Sequence, residues 1–356
     1  RRGFFFEVLV NDWVRVVVLA VIQGVTEFLP VSSSGHLLIG KELLGLNAPG
    51  VRCEVVLHLG TLVAVVAYYR ARLTELLRGL LAGSRAAWRM AGMLALSVGP
   101  AGLVWSMFKD QLDGLFADPR RAAITASGLL LVTGCLLLSV RFARPADSRA
   151  VTPFRAWWIG CMQALAILPG ISRSGSTILA ARHLGIGPSQ AAEFSFLMSI
   201  PVLLGGALID FSRGAPEAGG GTLGGPHYLV GACVAAGVGY LAIGTLVRLL
   251  CRGRLWYFAV YCLCAGTASL VWLSVDPGDA RSAPKLAALL VRRVLLIEIG
   301  AGRLVDGAHL AGRAEDVEPF DDPLPARFTP RGGLRGIVQQ VEHGCCEACG
   351  IGVLHK

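Results

Sequence analysis

Two short polar stretches inside otherwise apolar sequence carry the side chains able to do chemistry. The first is Gln23-Gly24-Val25-Thr26-Glu27-Phe28-Leu29-Pro30-Val31-Ser32-Ser33-Ser34-Gly35-His36. An ionisable group at membrane depth is costly, so Glu27 and His36 are functional candidates by position alone. Gln23 and Glu27 are four residues apart and share one face of a helix. Ser32, Ser33 and Ser34 precede a glycine and a helix start, where hydroxyls and backbone N–H groups together suit an anion. The second stretch is Pro169-Gly170-Ile171-Ser172-Arg173-Ser174-Gly175-Ser176-Thr177. Its Arg173 has the planar fork that binds a phosphate bidentately, and Ser172, Ser174 and Thr177 add neutral donors. The bland alternatives are polar glue inside a helix bundle for the first stretch, and a structural ion pair of Arg173 with Glu27 or Glu193 for the second.

The elements that must position these residues are membrane helices. Of the 356 residues 54% are hydrophobic and only 16% charged, against about 25% charged in soluble domains. Apolar runs at Glu54–Tyr69, Met90–Phe108, Ala122–Val140, Phe194–Phe211, Tyr228–Leu250 and Trp256–Val275 predict about six transmembrane helices. Asp12–Leu46 and Phe154–Leu184 are also apolar, but Pro, Gly and Ser interrupt each at its centre. Irregular backbone at that depth is tolerated only inside protein or along a wet cavity, which predicts two re-entrant helical hairpins with polar tips.

The hairpins resemble each other. Gln23 lies twelve residues before Gly35 and Gln163 twelve before Gly175. Leu29-Pro30-Val31-Ser32-Ser33-Ser34-Gly35 parallels Leu168-Pro169-Gly170-Ile171-Ser172-Arg173-Ser174-Gly175, with one residue added after the proline. Arginines crowd three loops: Arg70 to Arg89, Arg141 to Arg155, and Arg248 to Arg254. The positive-inside rule places these in the cytoplasm, so the first hairpin enters from outside and the second from the cytoplasm. The expected fold is thus an all-α polytopic membrane protein built as an inverted repeat.

The net charge of +9 follows from these loop arginines rather than from a nucleic-acid surface. The basic, then apolar, segment Arg1–Val10 lacks a following small-residue cleavage site, so no cleavable leader is expected. The expected division is a membrane domain over 1–275 and a tail over 276–356, largely disordered and dispensable. Cys345, Cys346 and Cys349, with His343 and His355, lack the paired spacing of a structural zinc site. Glu54 and Glu193 read as helix caps, partners of Arg173 or metal ligands. His58 and His183 read as packing residues, and Asp210, His227, Trp157 and Trp158 as interface residues.

The first stretch resembles the first motif of the undecaprenyl-diphosphate phosphatases, the bacitracin-resistance family, and the second resembles their second motif. Glu54-Val55-Val56-Leu57-His58-Leu59-Gly60 and Glu193-Phe194-Ser195-Phe196 are also similar to family segments. The resemblance covers about residues 12–275. It implies hydrolysis of undecaprenyl diphosphate to undecaprenyl phosphate and inorganic phosphate. It further implies an active site open to the outer face of the bacterial plasma membrane and dependence on Mg²⁺ or Ca²⁺. Carried over by position, Glu27, Ser33, His36 and Arg173 are the expected catalytic residues, with Glu27 as metal ligand. Gln23, Ser32, Ser34, Ser172, Ser174 and Thr177 are expected to bind substrate.

Gln23 stands where many members have Glu, and Cys262 follows Tyr261 where relatives often have Arg. The nucleophile stays open among Ser33, His36 and water; Ser33 with His36 as base is the preferred arrangement. Expected partners are the lipid diphosphate and membrane lipid, no nucleic acid, and a homodimer left open. A lipid-carrier flippase or anion exporter is the rival function, since such proteins share the inverted repeat. The type 2 phosphatidic acid phosphatase pattern is disfavoured because its second His would fall at Leu179.

Overall fold

The computed structural model describes residues 12–44, 50–143, 150–212 and 224–274. The tail, with its cysteine cluster, and the N-terminal segment lie outside them, as does the Asp210 side chain. The described residues form eleven α-helices and one 3₁₀ turn. Helix α1 (Asp12–Phe28) and α2 (Ser33–Leu44) make the first hairpin, and α3 (Gly50–Tyr68) follows. A short α4 (Arg70–Leu81) bends away from α3 by 76°. Then come α5 (Arg85–Leu115) and α6 (Pro119–Leu138), the second hairpin α7 (Pro153–Leu165) and α8 (Arg173–His183), and α9 (Pro188–Ser212), α10 (Gly225–Cys251) and α11 (Trp256–Ser274).

Among the described residues five helices are long and apolar enough to cross a bilayer, six if the bent α3–α4 pair is one span. This agrees with the six runs read from sequence: the chain is a multi-pass membrane protein. Local signals set the helix starts. Asp118 and Thr152 cap α6 and α7 by accepting from the Arg121 and Arg155 amides, each with a proline just inside.

The two halves pack by one plan. Helix α1 lies against α10, as α7 lies against α5; α3 packs on α9, and α6 on α11. Small residues permit the close approach that helices need in lipid. A Cβ on Gly60 would stand 2.5 Å from the Ala232 carbonyl oxygen, and one on Gly24 would stand 2.9 Å from that of Ala235. Large apolar side chains such as Leu103, Leu208, Leu229 and Leu241 are exposed on the bundle, where the bilayer would meet them.

Contacts between helix ends fix which ends share a face. On one face Trp13 of α1 stacks on His227 of α10 with centroids 3.9 Å apart. Arg120 at the start of α6 donates to the Leu273 carbonyl of α11, and Lys41 of α2 pairs with Glu54 of α3. On the other face Ser139 after α6 bonds His183 of α8, Arg141 lies over Trp256 of α11, and Arg72 of α4 pairs with Glu193 of α9. The first hairpin therefore opens on the first face and the second on the arginine-rich face, which is the inverted repeat.

Candidate active site

The polar tips of the two hairpins meet inside the bundle. Gly35 is so close to the opposite tip that a Cβ on it would stand 3.0 Å from the Gly170 Cα. Reciprocally, a Cβ on Gly175 would lie 3.2 Å from the Pro30 Cβ. The two helix starts are built alike. Ser32 Oγ accepts from the Gly35 amide at 3.3 Å, and Ser172 Oγ from the Gly175 amide at 3.1 Å. Cross-bonds lock them together: the Gly170 amide donates to Ser32 Oγ at 3.2 Å, and Ser174 Oγ donates to the Leu29 carbonyl at 3.2 Å. Thr133 of α6 holds the second tip, donating to the Gly170 carbonyl at 2.8 Å and accepting from the Ser172 amide at 3.1 Å. Two backbone conformations are unusual: Ser32 has φ +68° and Gly170 φ +106°. A non-glycine residue held at positive φ is strained, and such strain gathers at functional sites.

Ser33 and Arg173 occupy equivalent places, each the first residue after its capping serine. Both reach the carboxylate of Glu27 at the end of α1. Ser33 Oγ donates to Glu27 Oε2 at 2.7 Å, and Arg173 Nη2 donates to Glu27 Oε1. Gln23 Nε2, one turn back on α1, donates to Oε2 at 3.0 Å. Glu27 is buried, so this ion pair exists because both partners find each other there. The second half has no such acid. Gln163 matches Gln23, and its amide is buried without a hydrogen-bond partner, but Ile167 stands where an equivalent of Glu27 would be. The repeat thus builds one charged centre, not two.

His36, in the first turn of α2, points elsewhere. Its Nδ1 lies 2.8 Å from the Ser32 carbonyl oxygen, and its Nε2 2.8 Å from the Tyr261 hydroxyl. The Ser33 hydroxyl bonds to Glu27 and not to the imidazole, because one turn of α2 carries the two side chains to different neighbours.

Comparison with known proteins bears on what this centre belongs to. The family model "Bacitracin resistance protein BacA" matches residues 16–268. The chain belongs to the BacA family. It is 38% identical to a protein of Desulfatibacillum aliphaticivorans named undecaprenyl-diphosphatase, over 73% of this chain and 98% of the relative. Proteins of the same name from Salinibacter ruber and Rhodopirellula baltica are each 36% identical, over 73% and 72% of this chain and 99% and 96% of theirs.

Within this BacA-family chain the remaining candidates sort by what they touch. Ser32 and Ser174 bond the tips to each other, Ser172 caps its own helix start with its Oγ 3.3 Å from that of Ser174, and Ser34 lies 3.4 Å from Ser32 Oγ on the exposed side. Thr177 is buried facing α9, with its hydroxyl 2.6 Å from Ser195 Oγ, and does not join the Glu27 cluster. Glu54 and Glu193 contact Lys41 and Arg72, and Glu27 rather than Glu193 is the partner of Arg173.

Two residues come to the site that sequence reasoning set aside. His58, read as a packing residue, lies with Nε2 3.8 Å from Glu27 Oε2, while its Nδ1 sits 2.8 Å from the Glu54 carbonyl. Tyr261 arrives from α11, the last of the described helices. Spacing within one motif carries no sign of either contact; the family-like segment Glu54–Gly60 is the one signal that pointed towards His58.

Whether the donors suit a divalent cation depends on one buried atom. Among the described residues no three His, Cys, Asp or Glu side chains converge. Gln23 Oε1, however, is buried beside Glu27 without a hydrogen-bond partner. A carboxylate and an amide carbonyl are hard oxygen donors, as Mg²⁺ and Ca²⁺ prefer. Two protein ligands fit a cation whose other ligands come from substrate phosphates and water.

Proposed function

We propose that this chain hydrolyses undecaprenyl diphosphate to undecaprenyl phosphate and inorganic phosphate. The reaction recycles the lipid carrier for cell-wall synthesis and gives resistance to bacitracin. The observation that carries this reading is the convergence of Ser33 and Arg173, one from each hairpin, on the buried carboxylate of Glu27. Membership of the BacA family, whose relatives carry the name undecaprenyl-diphosphatase, supports the choice of substrate.

In the mechanism we favour, Ser33 Oγ attacks the terminal phosphorus of the diphosphate. Its proton passes along the existing 2.7 Å hydrogen bond to Glu27. The bond from that phosphorus to the bridging oxygen breaks, and undecaprenyl phosphate leaves. Water then hydrolyses the phosphoserine, releasing inorganic phosphate and restoring Ser33. Arg173 keeps donors beyond the one on Glu27, so it can clamp the phosphoryl oxygens without leaving the carboxylate. The starts of α2 and α8, facing the same point, add the partial positive charge of helix N-termini.

This assigns the base role to Glu27 rather than His36, and leaves His36 facing the incoming lipid headgroup beside Tyr261. Gln23 and Glu27 would hold the divalent cation together with the diphosphate, and the cation would neutralise phosphate charge. The site is read as opening to the outer face, because the first hairpin opens opposite the arginine-rich face. A carrier that only binds phosphate has no use for a hydroxyl aimed at a carboxylate, which disfavours the transport reading.

The test is phosphate release from undecaprenyl diphosphate by the detergent-purified protein, with and without a chelator. We expect turnover that a chelator abolishes and that added Mg²⁺ or Ca²⁺ restores. Absence of phosphate release from well-folded protein in either cation would overturn the reading.

A further inference from the structure

Helix α11 holds the first hairpin by two neighbouring residues that the mechanism above does not use. The Cys262 thiol donates to the Pro30 carbonyl at 3.7 Å, on one side of the tip. Tyr261 meets His36 on the other side, with rings stacked at 5.6 Å between centroids and 10° between planes, and its hydroxyl 2.8 Å from Nε2. The tautomer follows from donor bookkeeping. The Ser32 carbonyl can only accept, so His36 Nδ1 carries the hydrogen. Nε2 of the neutral ring then holds the lone pair, and the Tyr261 O–H donates to it. The single basic atom of His36 is therefore capped, and the ring is held away from Ser33.

We infer that Tyr261 is a positioning residue for the hydrolysis, acting through His36: its hydroxyl holds the imidazole in the Nδ1–H tautomer and keeps the ring facing the incoming headgroup rather than Ser33. The inference rests on the proposed phosphatase reading for its kinetic part. Tyr261 is 46% exposed, so the contact lies open to an entering headgroup or a reagent. The phenol ring and the backbone of α11 stay in place when only the hydroxyl is removed, which makes Tyr261→Phe the informative change.

Two readouts test it in the full-length detergent-purified protein. The first needs no turnover: the rate at which diethyl pyrocarbonate carbethoxylates His36, followed by mass spectrometry of its peptide. Uncapping Nε2 in Tyr261→Phe should raise that rate several-fold. The second is kinetic. Tyr261→Phe should lower kcat roughly tenfold, the worth of one hydrogen bond, with KM within about a factor of two. In a His36→Asn background the same change should have no further effect, since the residue through which it acts is gone. An unchanged carbethoxylation rate, or an undiminished penalty in the His36→Asn background, would overturn the inference. If the wild-type protein released no phosphate from the lipid diphosphate, the functional reading would fail, while the carbethoxylation rates would still decide the Tyr261 contact.

Discussion

Removing either member of the Glu27–Arg173 pair leaves a charge among buried side chains, a loss of roughly 3–5 kcal/mol. Substitutions that keep the charge separate stability from catalysis better. Arg173→Lys retains a cation for Glu27 but not the planar fork, so we expect near-normal melting and at least a hundredfold loss of phosphate release, as for a lost transition-state donor. Ser33→Ala leaves the ion pair intact and should abolish turnover and any trappable phospho-enzyme; a phosphoryl group mapped to His36 would refute Ser33 as nucleophile. Gln23→Glu would place a second carboxylate where a buried amide oxygen now has no partner. It should lower the cation concentration needed for half-maximal activity several-fold, read from a Mg²⁺ titration of phosphate release.

The hairpin is the element that makes a site of these residues. Each is a broken helix whose second half starts at a capping serine, and the break lets two helix starts approach end to end inside the bundle. Gly170 sits close against α6, with φ +106° and a would-be Cβ 2.7 Å from the Leu129 Cβ. An alanine there meets both a disfavoured conformation, costing about 1–3 kcal/mol, and the side of α6. We therefore expect Gly170→Ala to lower the melting temperature and most of the activity together. Gly60→Val should act through packing alone: it pushes α3 from α10 two residues beyond His58, so expression, melting and activity should fall together.

At the scale of the whole molecule, an odd number of crossings separates the hairpins, and so they open to opposite faces. This yields a topology prediction. Alkaline phosphatase fused after Asp118, in the turn between α5 and α6, should be active, and fused after Arg252, in the turn between α10 and α11, inactive. The reverse pattern would turn the site to the cytoplasm. The site as described is assembled from residues between Gln23 and Tyr261, and we expect truncation after Asp279 to leave insertion and phosphate release intact.

Much of this was legible in the residues alone. Apolar runs too long for a soluble core specify the crossings, and the bilayer penalises broken backbone so heavily that Pro, Gly and Ser at mid-run read as hairpin tips. The matched Gln-to-Gly spacing disclosed the repeat. Glu27 and Arg173 were found because each is expensive where it stands. Partnership was not legible. Whether Arg173 would take Glu27 or Glu193, and whether Ser33 would face Glu27 or His36, depends on how two tips 138 residues apart at Ser32 and Gly170 abut. Beyond the family-like segment around His58, nothing in the sequence of α3 and α11 aims His58 and Tyr261 at the tip; the packing of those helices brings them there. Sequence determines which groups the membrane will not tolerate alone, because that cost is local. Tertiary structure decides which of them meet, because distance across the fold has no local signature.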